Sequence, residues 1–268
     1  MTSLIRCLLA GFALAALAFV GASSAAERRV VVADPAPSLG DDSRPAGPLV
    51  GYLTAPSGAG PFPAVALIPS CLGLPDNRAA FAATLAGWGY VALYVDEFAP
   101  RGLHETCSVD FPVGPADAAA ALAYLARQPF VDARLVAIVG FSQGGDVALA
   151  VAASPPQGRR LRAAVSYYPP CANRQGETLT VPTLILVGAA DSVTPAADCR
   201  AFVVAQPPGV AKLVVLPGAG HLFDDPASAG GRIVLGMHFA YDRAAAARAM
   251  QELRRFLAET MSQTRDGD

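Results

Sequence analysis

Ser142, Asp191 and His221 have the residue types and the chain order for nucleophilic catalysis. Ser142 lies in Gly140-Phe141-Ser142-Gln143-Gly144, a G-x-S-x-G pattern. The apolar, β-branched run Arg134–Val139 precedes it and reads as a buried strand. Asp146–Ala153 follows it and reads as a buried helix. A serine at such a strand-to-helix corner stands proud of the backbone, where a base and a substrate carbonyl reach it. The flanking glycines lack Cβ atoms, so strand and helix can pack closely around a strained residue. The plain alternative is an ordinary turn with a solvated serine.

A hydroxyl is a weak nucleophile and needs a base, which itself needs an orienting acceptor. The chain has three histidines. His221 follows the last predicted strand in Leu216-Pro217-Gly218-Ala219-Gly220-His221, where two glycines free the backbone to aim the ring. His104 precedes Ser142 and has the wrong chain order, and His238 precedes the closing helix, away from any predicted strand end. The acid is expected at Asp191, in Val187-Gly188-Ala189-Ala190-Asp191, directly after a buried strand. Thr194, ahead of Pro195, reads as the cap of the next helix and so frees Asp191 from that duty. Asp198 falls inside that helix, and Asp224 and Asp225 are too close to His221 in sequence to orient it easily. A developing oxyanion needs preorganised donors. The backbone N–H of Gln143 is one. The second is expected in the loop Pro69-Ser70-Cys71-Leu72-Gly73, at Cys71 first and Leu72 second.

These positions require alternating strands and helices. Strands are predicted at Arg29–Val32, Leu49–Leu53, Ala64–Ile68, Tyr90–Val95, Arg134–Val139, Arg162–Tyr168, Thr183–Val187 and Lys212–Leu216. Helices are predicted at Arg78–Trp88, Pro115–Arg127, after the serine, near Ala196–Ala205, and at Tyr241–Met261. The alternation argues a mainly parallel sheet with helices on both faces, with ligand chemistry at the carboxyl ends of the strands.

Composition agrees with one large core: 268 residues, of which 53% are hydrophobic. The net charge of −2 carries no basic excess, and aromatic residues are not interleaved with basic ones, so no nucleic-acid face is expected. Arg6, the apolar stretch Cys7–Val20 and the small residues Gly21–Ala26 have the shape of a secretory signal peptide. Residues 1–26 are therefore expected to be removed after export, with cleavage near Ala25 or Ala26, leaving 27–268 as one domain. The apolar stretch is short for a membrane span, so no stable insertion is expected. Periplasmic or secreted localisation follows.

Export leaves Cys71, Cys107, Cys171 and Cys199, an even number for an oxidising compartment. Three pairings are possible. Each cysteine falls in a predicted loop, just after a strand or just before a helix. Cys71–Cys107 and Cys171–Cys199 are favoured because each pair joins loops that follow neighbouring strands. A zinc site is the rival reading, but no pair has C-x-x-C spacing and no histidine lies close by in sequence.

The chain resembles the dienelactone hydrolase family of α/β-hydrolases from about Val50 to Leu257. The likeness rests on Gly89-Tyr90-Val91 leading to Asp96-Glu97-Phe98, on Arg101-Gly102, on the serine corner, on Gly188 to Asp191, and on Gly220-His221. It implies an α/β-hydrolase fold and an enzyme that opens lactones or cleaves esters without a metal or cofactor. It also implies a triad of Ser142, Asp191 and His221, with Cys71 and Gln143 as oxyanion donors. The partner implied is a small-molecule ester or lactone. Founding members carry cysteine at the nucleophile position, and a glutamate preceded by histidine after the third strand. This chain has Ser142 there, and Pro69 and Ser70 in place of the other two. With no thiol to restrain, the glutamate is not needed, so ordinary esters suit this site at least as well as dienelactone. Together with the export signal, the four cysteines suggest a periplasmic subgroup. Arg101, after a strand end, is a candidate for binding a substrate carboxylate, against the alternative of a solvated arginine or a structural one paired with Asp96 or Glu97. A peptidase or thioesterase with the same triad, and a binding module that kept the fold without turnover, are the competing functions.

Overall fold

The computed structural model describes residues 26–34, 47–107, 114–157, 161–234 and 237–262. Apart from Ala26, the expected signal peptide lies outside them. Eight strands form one sheet: β1 (Arg28–Ala33), β2 (Leu49–Thr54), β3 (Phe62–Ile68), β4 (Val91–Asp96), β5 (Val131–Phe141), β6 (Leu161–Tyr167), β7 (Thr183–Gly188) and β8 (Ala211–Leu216). Their order is β1-β2-β4-β3-β5-β6-β7-β8. The pairs from β4 through β8 are parallel, and β1 and β2 join antiparallel at one edge.

Five helices, α1 (Arg78–Gly87), α2 (Gly114–Ala126), α3 (Gln143–Ala153), α4 (Ala196–Val204) and α5 (Arg243–Thr260), connect or follow the strands. Side chains of a strand alternate between faces, and the core divides accordingly. Ala64, Ala66 and Ile68 of β3 pack with Leu122 and Leu125 of α2, Val147 and Val151 of α3, and Phe202 of α4. Val65 and Leu67, one residue out of step, pack with Leu85 of α1 and with Leu253, Phe256 and Leu257 of α5. Both faces of the central strands are thus buried, which explains why they read as continuous apolar runs.

Two expectations change. Lys212–Leu216 is not the last strand, because a two-stranded antiparallel pair, β9 (Arg232–Val234) and β10 (Met237–Phe239), follows it. Strands of three residues with Ile233 exposed carry no legible alternation. Cys199 lies inside α4 rather than in a loop.

Cys71 is bonded to Cys107 and Cys171 to Cys199. Each bridge joins the segments that follow adjacent strands, β3 with β4 and β6 with β7. No helix among the described residues is long and apolar enough to cross a membrane.

Candidate active site

Ser142 sits between the end of β5 and the start of α3 with φ of 53° and ψ of −113°. This conformation costs about 1–3 kcal/mol for a residue with a Cβ atom. It is held from both sides: the Ser142 N–H donates to the Tyr167 carbonyl at 2.9 Å, and its own carbonyl accepts from the Asp146 N–H at 2.9 Å. The two glycines of the motif are steric requirements. A Cβ on Gly140 would overlap the Gly144 carbonyl, and one on Gly144 would overlap the carbonyl oxygens of Ile68 and Pro69. The corner is therefore pressed against the end of β3 and the loop that leaves it.

His221 follows β8 and is almost fully buried, at 2% exposure. Its ring packs 4.6 Å from the Tyr168 ring and 5.6 Å from the Phe239 ring, centroid to centroid. Its backbone bridges to Phe239 of β10, so the short pair absent from the sequence reading supports the histidine loop. His221 Nε2 lies 3.0 Å from Ser142 Oγ, and Nδ1 lies 2.8 Å from Asp191 Oδ2.

Asp191 follows β7. Burial raises its pKa, but the hydrogen bond and charge of His221 and the bonds from Thr194 outweigh burial and hold the carboxyl below its ordinary range. An ionised Asp191 fixes the proton on His221 Nδ1 and leaves Nε2 free to accept from Ser142.

Thr194 does not cap α4. The residue at that cap is Pro195, with no side-chain bond. The Thr194 hydroxyl lies instead 2.9 Å from Asp191 Oδ2, 3.1 Å from the Tyr168 carbonyl and 3.2 Å from His221 Nδ1. A threonine ahead of Pro-Ala-Ala has the local signature of a cap, so only the tertiary contact reveals its second use.

In the loop after β3, the Leu72 N–H donates to Ser70 Oγ at 3.3 Å, and the Gly73 N–H to the Ser70 carbonyl at 3.0 Å. Cys71 lies between Ser70 and these donors in the same turn, and its carbonyl accepts from the Thr106 N–H at 2.8 Å. Gln143 opens α3, where the first N–H groups of a helix lack intrahelical acceptors.

Arg101 does not stand on a substrate rim. Its side chain is 3% exposed and forms a two-pronged ion pair with Asp117, itself fully buried, at 2.8 and 3.0 Å. It also donates to the Glu97 carbonyl. The partner is thus Asp117, from the first turn of α2, rather than Asp96 or the Glu97 carboxylate. The fork and the burial of the side chain are what a structural arginine shows.

His104 is exposed. His238 is exposed on β10. Asp198 lies in α4, and Asp225 caps the short turn Pro226–Ser228. Asp224 accepts from the Tyr168 hydroxyl at 2.6 Å, and burial raises its pKa to about 6 although that bond pulls the other way.

A cavity of about 210 Å3 has Leu72, Phe81, Tyr94, Phe141, Tyr168 and Leu222 on its walls, so the chain neighbours of Ser142 and His221 line it while those two residues do not. Asp76, Asp224, Asp225 and Arg232 supply its charged lining. Among the described residues, no cluster of three or more histidine, cysteine or acidic side chains could hold a metal ion.

The model of the dienelactone hydrolase family matches residues 49–261. A dienelactone hydrolase-like promiscuous phosphotriesterase from metagenomic libraries is 25% identical, with a TM-score of 0.68 over 89% of this chain and 100% of the other. The dienelactone hydrolase of Anabaena variabilis, at 21% identity, superposes with a TM-score of 0.64 over 89% and 100% of the two chains. An esterase of Thermogutta terrifontis, at 18% identity, gives 0.65 over 92% and 96%. These last two likenesses speak for the fold alone. A provisionally named phosphoribosyl transferase of Mycobacterium tuberculosis is 32% identical over 146 residues, 54% of this chain and 32% of that protein. The chain thus spans about a third of the length of the curated relatives it matches. With the family model covering both the serine corner and the histidine loop, the chain belongs to the dienelactone hydrolase family.

Proposed function

We propose that this protein is a serine hydrolase that cleaves carboxylic esters or lactones through an acyl-enzyme. The observation that carries the reading is the unbroken chain of contacts from Ser142 Oγ to His221 Nε2 at 3.0 Å and from His221 Nδ1 to Asp191 at 2.8 Å. Ser142 attacks the carbonyl carbon while His221 takes its proton. Asp191 stabilises the imidazolium that forms. The tetrahedral oxyanion rests on the N–H groups of Gln143 and Cys71. As the C–O bond breaks, His221 returns its proton to the departing alkoxide. Water then attacks the acyl-enzyme, with His221 again the base, and releases the acid and Ser142.

The cavity lined by Phe141 and Leu222, the chain neighbours of Ser142 and His221, is the candidate substrate pocket in this reading, and its volume of about 210 Å3 favours short substrates. Residues 27–268 act as one catalytic domain in this reading. The two disulfides suit work in an oxidising compartment outside the cytoplasm.

Hydrolysis of p-nitrophenyl acetate by the purified protein and by Ser142→Ala tests the proposal. The variant is expected to lose at least about a thousandfold in kcat. A variant that keeps full turnover would remove Ser142 from the mechanism.

A further inference from the structure

The two proposed oxyanion donors belong to different elements, Cys71 to the loop after β3 and Gln143 to the start of α3. One short segment touches both. Thr106, after the 3-10 turn Ala99–Arg101, is 1% exposed. Its N–H donates to the Cys71 carbonyl at 2.8 Å. Its hydroxyl donates to Gln143 Oε1 at 2.7 Å. The next residue, Cys107, is covalently bonded to Cys71. Cys71 is thereby held at its carbonyl and at its side chain, which leaves its N–H little freedom to turn. Gln143, which fills the x position of the G-x-S-x-G motif after the serine, is held at its side chain by the same threonine.

We infer that Thr106 is a positioning residue for the oxyanion hole, and that the Cys71–Cys107 bond is the covalent half of the same clamp. This rests on the serine hydrolase reading and on Cys71 and Gln143 as donors. Such a clamp acts on the transition state more than on bound substrate. The negative oxygen develops only as the carbonyl carbon becomes tetrahedral, and donors aimed at that position do their work there. A misplacement of about 1 Å in a catalytic group costs on the order of a hundredfold. Loosening the clamp therefore lowers kcat while KM stays near its original value. A Thr106 that merely packed would affect stability and leave this division of kinetic effects absent.

The test compares the full chain with Thr106→Val, Thr106→Ser and the double variant Cys71→Ala/Cys107→Ala. The readouts are p-nitrophenyl acetate kinetics and inhibition by an alkyl trifluoromethyl ketone, whose serine adduct carries an oxyanion in the hole. Thr106→Val is expected to lose about 10- to 100-fold in kcat, with KM within about threefold. Its ketone Ki should rise by a factor comparable to the loss of kcat/KM, and Thr106→Ser should restore both. The double cysteine variant should move kcat and Ki in the same direction and gives the answer if Thr106→Val fails to fold. A folded Thr106→Val or double variant with kcat within about twofold of the parent would overturn the inference, as would lost turnover with an unchanged ketone Ki. A fluorophosphonate probe separates the layers. A parent chain that is not labelled at Ser142 overturns the hydrolase reading and this inference together. A labelled parent with unaffected variants overturns the inference alone.

Discussion

Thr194 and Asp191 meet twice: the Thr194 hydroxyl lies 2.9 Å from Oδ2, and the Thr194 N–H donates to Oδ1 at 2.9 Å. The Val193 N–H adds a third contact, also to Oδ1 at 2.9 Å. One carboxylate oxygen is thus tied to the backbone, while the other faces His221. The carboxylate cannot rotate away from the imidazole without breaking these bonds. Thr194→Val removes one hydrogen bond, worth about 1 kcal/mol, so kcat is expected to fall about fivefold, with recovery in Thr194→Ser. Asp191→Asn, which would hold the wrong tautomer of His221, is expected to lower kcat by about 10^4. Steady-state ester hydrolysis reads both. An Asp191→Asn enzyme at parental rate would take the acid out of the mechanism.

Gly144 is a steric requirement of the nucleophile corner. A Cβ there would run into backbone oxygens of Ile68 and Pro69, which cannot move aside as a flexible side chain would. Gly144→Ala is expected to destabilise the protein by about 3 kcal/mol and to displace Ser142. Gly87, in the last turn of α1, meets nothing within 4 Å of an added Cβ. Gly87→Ala is expected to stabilise by about 0.5–1 kcal/mol. Thermal unfolding of the pair distinguishes a packing requirement from a general intolerance of alanine. Equal Tm values for Gly144→Ala and the parent would refute the requirement.

The main sheet was legible because its central strands are buried on both faces and its helices carry small apolar residues at helical spacing, as in Ala118, Ala121, Leu122 and Leu125. Such patterns arise from local periodicity and survive without knowledge of tertiary contacts. The candidate site was legible for a related reason, since Ser142, Asp191 and His221, which the fold brings into contact, each follow a strand that the sequence itself marks. What failed depends on contacts between distant segments. Thr194 has the local form of a helix cap but bonds to Asp191 and Tyr168. The role of Thr106 depends on a loop folding back onto Gln143, 37 residues away. Arg101 looked exposed after a strand end because Asp117, its partner from α2, sits 16 residues on with no pattern linking the two.

The burial of Arg101 with Asp117 carries its own prediction. Removing one partner of a buried pair strands the other charge, at a cost of about 3–5 kcal/mol. Asp117→Ala is therefore expected to lower stability by that amount in denaturant unfolding. If Arg101 has no substrate role, KM for a neutral ester and KM for a carboxylate-bearing ester should change by the same factor in this variant. A selective rise for the carboxylate-bearing ester would return Arg101 to the substrate site.

Glu97 supplies a pH test with a defined sign. It is buried beside this pair, and burial, then the charge of Asp117, raises its pKa well above the ordinary range, against a smaller pull from Arg101. Asp117 is raised too, to about 6, chiefly by burial and in spite of its bonds to Arg101. Each acid binds a proton more tightly in the folded chain than in the unfolded one. Stability contributed by such a group is fully present below its unfolded pKa and is lost as pH rises through its folded pKa. For Asp117 the window runs from 3.8 to about 6; for Glu97 it begins near 4.5 and extends higher. Glu97→Gln replaces the protonated acid with a neutral group of the same shape. Its Tm is expected to match the parent near pH 4 and to exceed it by at least about 3 °C at pH 8, the shift that roughly 1 kcal/mol produces in a chain of this size. Tm measured from pH 4 to 8 on both proteins checks the sign, and a gap that fails to widen with rising pH would show that Glu97 ionises freely in the folded protein.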